Sequence, residues 1–330
     1  MISRREWLRT TAGAGVALTA SGWRFGDAGG VWGGNPGPGV QDMILKPIPS
    51  SGERIPVIGL GGRWISTRAG EEELAGHRAV LRALASGAEG GGRVFDTAPG
   101  YGGGGSEEYG GRWAEEDRFQ EDIFWATKVN VAGRGGGSVD PADVRRQIDR
   151  SFERLRIPVI DLNQVHNMGD PPTQLGVLKE YKASGRIRYI GITTTSERQY
   201  PELVQVMEDY PIDFVGVDYA IDSRLAEEAV FPAALDQGVA VMVYLPFGRS
   251  RMWARIGDRR LPEWASEFDA STWAQFMLKF VVAHPAVTVA VPGTGDAEHM
   301  VDNLGGGRGR LPTAEHLRRM IDLVEDLPGA

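Results

Sequence analysis

From residue 43 onward, short β-branched apolar runs alternate with amphipathic stretches of helical period. That alternation is the strongest constraint on the fold. A chain that runs strand, helix, strand, helix can pair its strands only in parallel, each helix returning the chain to the start of the next strand. Runs of strand character lie at 58–61, 93–95, 123–127, 160–165, 187–192, 214–217, 239–243 and 287–291. Helical patterns lie between or after them at 71–86, 106–114, 141–155, 174–184, 200–208, 225–237, 271–283 and 317–327. Eight such units favour an α/β fold of the closed (β/α)8 TIM-barrel type. Two further runs, 43–48 and 54–57, flank Ser50-Ser51-Gly52 and predict an N-terminal β-hairpin. The alternative is an open doubly wound sheet, which wants G-x-G-x-x-G after its first strand. Ile58-Gly59-Leu60-Gly61-Gly62 starts in that way, but Trp64 occupies the sixth position from Gly59.

Composition narrows the function. The 330 residues carry a net charge of −8, with no extended basic run, which argues against nucleic acid or an anionic membrane as partner. The absence of cysteine excludes disulfides, zinc-thiolate sites, iron–sulfur clusters and cysteine nucleophiles. With five histidines and no HExxH, no metal site is expected.

Residues 1–42 differ from the rest and are read as a separate segment preceding a barrel at 43–330. Ser3-Arg4-Arg5-Glu6-Trp7-Leu8-Arg9 resembles the twin-arginine export consensus, and a weakly apolar stretch follows from 10 to 20. That stretch is too short and polar to form a stable membrane span. Residues 29–39 are a Gly/Pro-rich linker. The expectation is export to the periplasm or beyond by the twin-arginine machinery. A basic tail on a cytoplasmic protein is the alternative.

In a (β/α)8 barrel, function gathers at the C-terminal ends of the strands. The second, third and fourth strands end on Asp96, Lys128 and His166. Each alone reads more readily as a helix or loop cap, a solvated lysine and a hydrogen-bonded core histidine. Three complementary titratable groups on adjacent strands point to a catalytic mouth.

These residues carry a family resemblance. Phe95-Asp96-Thr97-Ala98-Pro99-Gly100-Tyr101-Gly102, Ala126-Thr127-Lys128-Val129, Asp161-Leu162-Asn163-Gln164-Val165-His166, the segment 185–191 and Val291-Pro292-Gly293-Thr294 with Asn303 together resemble the ordered motifs of the aldo/keto reductases. With the leader, the chain resembles the twin-arginine-signal-bearing bacterial branch of that family. The resemblance implies reduction of an aldehyde or ketone by hydride from NADPH, with NADH as the alternative. It makes Tyr101 the general acid, Lys128 the ammonium that eases its proton loss, Asp96 the counter-ion and His166 the group orienting the carbonyl oxygen. It makes Tyr244, Thr193 and Thr194 neighbours of the nicotinamide. Pro246, Phe247, Gly248 and Arg249 would follow the pyrophosphate, with Gly293, Thr294, His299 and Asn303 around the adenosine. Trp64, Trp125, Asn130 and Met168 are candidates for a substrate wall, or else for plain rim packing. The loop 251–264 is a candidate cover for the nucleotide.

The sequence also departs from the pattern. Thr193-Thr194 replaces a Ser-Asn pair. Gly216 stands where many relatives carry Gln. Gly293 and His299 stand where many carry cations for a 2′-phosphate. Two other functions remain in view. One is a nucleotide-binding sensor or partner subunit with little turnover. The other is a hydrolytic barrel that would pair Asp96 with Asp218.

Overall fold

The computed structural model describes residues 42–86, 93–133 and 136–329. The leader and the linker lie outside the described residues. The hairpin is present: β1 (Leu45–Pro47) and β2 (Arg54–Pro56) pair antiparallel. The next eight strands are β3 (Leu60–Gly61), β4 (Val94–Asp96), β5 (Phe124–Val129), β6 (Ile160–Val165), β7 (Ile187–Thr194), β8 (Phe214–Asp218), β9 (Ala240–Tyr244) and β10 (Val287–Ala290). They form one sheet in sequence order, all parallel. The order never reverses, so the doubly wound alternative fails. Its edges meet: the Gly59 amide donates to the Ala290 carbonyl at 2.9 Å, and the Gly61 amide to Pro292 at 2.9 Å. This is a (β/α)8 barrel with an N-terminal hairpin.

The helices are α1 (Glu71–Ser86), α2 (Gly105–Glu116), α3 (Pro141–Leu155), α4 (Pro171–Ala183), α5 (Tyr200–Asp209), α6 (Val230–Gln237), α7 (Arg251–Ile256), α8 (Trp273–Ala283), α9 (Ala297–Gly305) and α10 (Ala314–Glu325). Local chemistry sets their ends. The Asp140 carboxylate accepts the Ala142 amide ahead of Pro141 at the first turn of α3. Thr313 and His316 form a reciprocal capping box on α10. Helix α4 starts three residues earlier than its periodicity predicts, because a first turn tolerates Pro171 and Pro172. The run 225–237 is broken into a 3-10 turn and α6. The 251–264 segment is partly helical as α7, and α9 was not foreseen.

Strand alternation sorts side chains to two faces. Val94, Phe124, Ala126, Leu162, Tyr189, Phe214, Ala240, Met242, Val289 and Val291 share the barrel interior with Ile48 and Ile55 of the hairpin. The hairpin thus plugs the N-terminal end, and Tyr189 fixes it by donating to Glu53 at 2.5 Å and accepting from the Ser51 hydroxyl at 2.8 Å. Toward the C-terminal end, this apolar filling gives way to buried Asp96, Lys128 and Gln164. Polar groups sealed at that depth need partners, and their partners define the site.

Candidate active site

Lys128 is 1% exposed and Asp96 2%. The Lys128 ammonium donates to Asp96 Oδ2 at 2.7 Å and to the Thr97 carbonyl at 2.8 Å. It also lies 4.9 Å from the Tyr101 ring centre and 5.2 Å from that of Tyr244. Burial works against the ammonium, but Asp96 and Tyr101 outweigh it and hold its pKa above the ordinary lysine value. Burial pushes the Asp96 carboxyl upward, and Lys128 and the Tyr244 hydroxyl oppose that push. The pair is a charged centre kept in place by mutual need. Tyr101 stands edge-on to His166, ring centres 5.8 Å apart. Four residues from three separate strand ends therefore meet at one mouth.

Tyr101 reaches it on an unusual loop. The backbone turns left-handed at Gly102, φ 56°, where a Cβ would lie 1.8 Å from the Ile65 carbonyl oxygen. Only glycine fits. We expect Gly102→Ala to cost about 2 kcal/mol or more of stability through backbone strain and overlap, and turnover to fall further than stability alone explains. Urea unfolding beside activity checks this. Gly100→Ala is the control, since a Cβ there meets nothing within 4 Å.

Tyr244 closes the other side. Its hydroxyl accepts from Gln164 Nε2 at 3.1 Å and donates to Asp96 Oδ1 at 3.4 Å. Burial, with Asp96 nearby, raises its pKa well above the usual phenol value, so it stays neutral. Gln164 was missed by the sequence reading. It lies two residues before His166 on the same strand face, a polar side chain pointed into an apolar interior, and that was its available signal. Its Oε1 is buried without a protein partner.

The other predicted residues divide. Thr193 is 2% exposed, on the inward face beside Gly216, and its hydroxyl accepts the Asn167 amide at 3.4 Å. Thr194 faces outward and is spent on the following turn, donating to Gln199 at 2.6 Å and accepting from the Ser196 amide. Trp125 also faces outward, because it alternates with Phe124 and Ala126. It packs edge-on against Phe95 and its indole N–H donates to the Gln120 carbonyl at 3.0 Å. Thr194 and Trp125 are therefore removed from the candidate pocket. Trp64 lies beside Gly293 and against His77, ring centres 4.4 Å apart, and its indole N–H is buried without a partner. Met168 is buried in a left-handed turn after β6. Asn130 lines a cavity of about 270 Å³ with Val131, Asp143, Arg146, Gln147 and Arg150.

Pro246 is buried, and half-buried Phe247 packs on Trp253 of α7. Gly248 is left-handed, with the Asp222 carboxylate against its Cα. Arg249 is turned back onto Asp218 at 2.8 Å and onto the Thr195 carbonyl at 2.6 Å. Asp218 also accepts from the Tyr200 hydroxyl at 2.9 Å. Bound in this way, Asp218 is no free partner for Asp96, which counts against the hydrolytic reading. Thr294 bonds within its own turn to Asp296, which caps α9 through the Glu298 and His299 amides. Asn303 is buried on the same helix.

The donor set fits a nicotinamide nucleotide. The Trp64 N–H without an acceptor lies against the side-chain-free Gly293, and Thr193 and the Tyr244 ring meet over Gly216.

Comparison with known proteins agrees. Residues 58–318 match the aldo/keto reductase family. An aldo-keto reductase of Schizosaccharomyces pombe, yakc [NADP(+)], is 26% identical over 323 residues, covering 86% of this chain and 93% of the relative. An NADH-specific methylglyoxal reductase of Escherichia coli is 28% identical over 188 residues, 51% of this chain and 56% of that one. The crystal structure of an aldo-keto reductase from Klebsiella pneumoniae in complex with NADPH superposes with a TM-score of 0.69 at 25% identity, covering 86% of this chain and 95% of that one. The barrel, the site at its C-terminal mouth and these matches agree: this chain belongs to the aldo/keto reductase family, whose chemistry is NAD(P)H-dependent carbonyl reduction.

Proposed function

We propose that Tyr101 is the general acid of this reductase, with Lys128, Asp96 and His166 as its partners and a small aldehyde or ketone as substrate. The observation that carries this reading is the buried Lys128 ammonium, held by Asp96 and set against the Tyr101 ring. A free phenol ionises near pH 10, so a tyrosine that donates its proton near neutrality needs a cation to receive the developing phenolate. Lys128 is that cation. His166, beside the Tyr101 ring, orients the carbonyl oxygen so that the hydroxyl proton is delivered as charge develops there. Solvent then returns a proton to Tyr101. The nicotinamide, when bound, supplies the hydride to the carbonyl carbon.

Tyr244, Thr193, Trp64, Gly293 and the 246–249 loop are the groups we assign to the nucleotide. The names of the S. pombe relative and of the K. pneumoniae complex favour NADPH, and the E. coli relative makes NADH the comparison to run. The test is oxidation of NADPH and of NADH by the full chain with a panel of aldehydes and ketones. Tight nucleotide binding with no turnover on any carbonyl would instead support a sensor.

We further infer that the chain is exported by the twin-arginine machinery. Support comes from Arg4-Arg5 ahead of Leu8 and the weakly apolar 10–20 stretch. Fractionation of a bacterial host is expected to recover the protein outside the cytoplasm, and Arg4→Lys with Arg5→Lys to retain it inside. Cytoplasmic recovery of both forms would end the export reading.

A further inference from the structure

Behind the catalytic mouth, on the outer face of β4, β5 and β6, a belt of polar side chains is sealed from solvent. Thr97, Ser106, Glu107, Thr127, Ser151 and Asn163 are each 0% exposed. A packed interface between barrel and helices ordinarily takes apolar residues there, so each polar group needs a reason.

Glu107, on α2, is the centre of the belt. One carboxylate oxygen accepts the Thr127 hydroxyl at 2.7 Å, and the other faces Arg154 Nη1 of α3 at 3.2 Å. The same Arg154 nitrogen donates to the Pro99 carbonyl at 3.0 Å. Its guanidinium lies against Gly104, where a Cβ would come within 2.6 Å of the Arg154 Cζ. Alongside, the Thr97 hydroxyl donates to Ser106 at 2.6 Å. The connectivity is specific. Pro99 and Gly104 bracket Tyr101. Thr127 directly precedes Lys128. One ion pair, its carboxylate buried and its guanidinium half-buried, thus ties the tyrosine loop to the lysine strand without touching the mouth.

We propose that Glu107 and Arg154 are positioning residues for proton transfer, fixing the loop at 99–104 against β5 so that Tyr101 stays within reach of Lys128. The chemistry suits the task. A carboxylate accepts from two directions, and a guanidinium spreads donors over a carboxylate, a carbonyl and a glycine surface that an ammonium could not cover as fully. The proposal rests on Tyr101 being the acid.

The test uses the full chain with Arg154→Met, Arg154→Lys and Glu107→Gln. Arg145→Met is the control, removing a surface pair with Glu180 from the same helix. Four quantities are read: kcat, KM for the carbonyl, nucleotide Kd by fluorescence quenching, and the pH dependence of kcat. Misplacing a reacting group by about an ångström costs roughly 100-fold. Arg154→Met is therefore expected to lower kcat by about ten- to 100-fold, with nucleotide Kd held within about twofold. The pH dependence of its kcat departs from that of the parent enzyme, because the contact between Tyr101 and the Lys128 ammonium is loosened. Arg154→Lys restores part of kcat and of the parent pH dependence. Normal kcat and pH dependence in Arg154→Met overturn the proposal, whatever its melting temperature. So does a loss of kcat that tracks nucleotide affinity and that lysine does not rescue. Should Arg154→Met fail to fold, Arg154→Lys and Glu107→Gln read the same quantities. A Tyr101→Phe enzyme with full turnover overturns the acid assignment itself. Silent Arg154 variants beside an inactive Tyr101→Phe overturn only the positioning role.

Discussion

Tyr101→Phe lowers carbonyl-dependent NADPH oxidation by about 1,000-fold while nucleotide binding stays intact, the range expected when a general acid is lost. Phenylalanine keeps the ring that lies edge-on to His166 and faces the Lys128 ammonium, so the mouth keeps its shape. Only the hydroxyl goes, and with it the proton for the developing alkoxide. Stopped-flow or steady-state absorbance with a reactive aldehyde measures the first quantity, and quenching of intrinsic tryptophan fluorescence the second. A variant that keeps a tenth or more of wild-type turnover would move the acid role elsewhere, His166 being the next candidate. A variant that loses nucleotide affinity in step with turnover would mean that the hydroxyl organises the pocket.

Asp96→Asn has the second largest effect, and it appears in two measurements at once. The substitution leaves the Lys128 ammonium 1% exposed with no counter-charge. Breaking one side of such a pair costs about 3–5 kcal/mol. The sign for catalysis follows from the same physics. Burial already disfavours the ammonium, and Asp96 is a principal reason that it stays protonated. Without it, part of the population carries a neutral lysine, which cannot ease ionisation of the phenol, and kcat falls by about 100-fold as general acid catalysis is lost. The double variant Asp96→Asn, Lys128→Met is expected to be more stable than the sum of its parts, because no charge is stranded. Additive losses would mean that the two groups do not act as a pair. Asp218→Asn gives the contrast. It frees Arg249 and changes nucleotide affinity, yet leaves kcat at saturating nucleotide within a few-fold. Loss of turnover there with Asp96→Asn unimpaired would revive the hydrolytic reading.

The barrel was legible because strand and helix differ in period, and eight such alternations leave few topologies open. The inward and outward assignments were half legible. Alternation makes Trp125 point away from Lys128 once the strand is fixed, but Trp125 next to the motif Ala126-Thr127-Lys128 drew attention by type rather than phase. Thr194 misled for the same reason: its neighbour Thr193 faces in, so Thr194 cannot. Helix α9 is short and follows a glycine-rich turn, so its nine residues gave little periodicity to read. Glu107 and Arg154 were invisible in sequence, 47 residues apart on two surface-like helices. An acidic residue in the first turn of a helix reads as a solvated, dipole-favoured side chain, and only the packing of α2 on α3 reveals it as buried.

Gly216 constrains substitution at the heart of the site. A Cβ at that position would come within 2.5 Å of the Tyr244 ring. A glutamine at 216 is therefore not a single accessible step: the longer side chain and the present position of the Tyr244 ring exclude each other. Position 216 can gain a side chain only after Tyr244 moves, and Tyr244 is tethered through its hydroxyl to Gln164 and Asp96. Any side chain introduced at 216 therefore acts on the catalytic anchor through Tyr244, and is accommodated only with compensating change at 244 or 164.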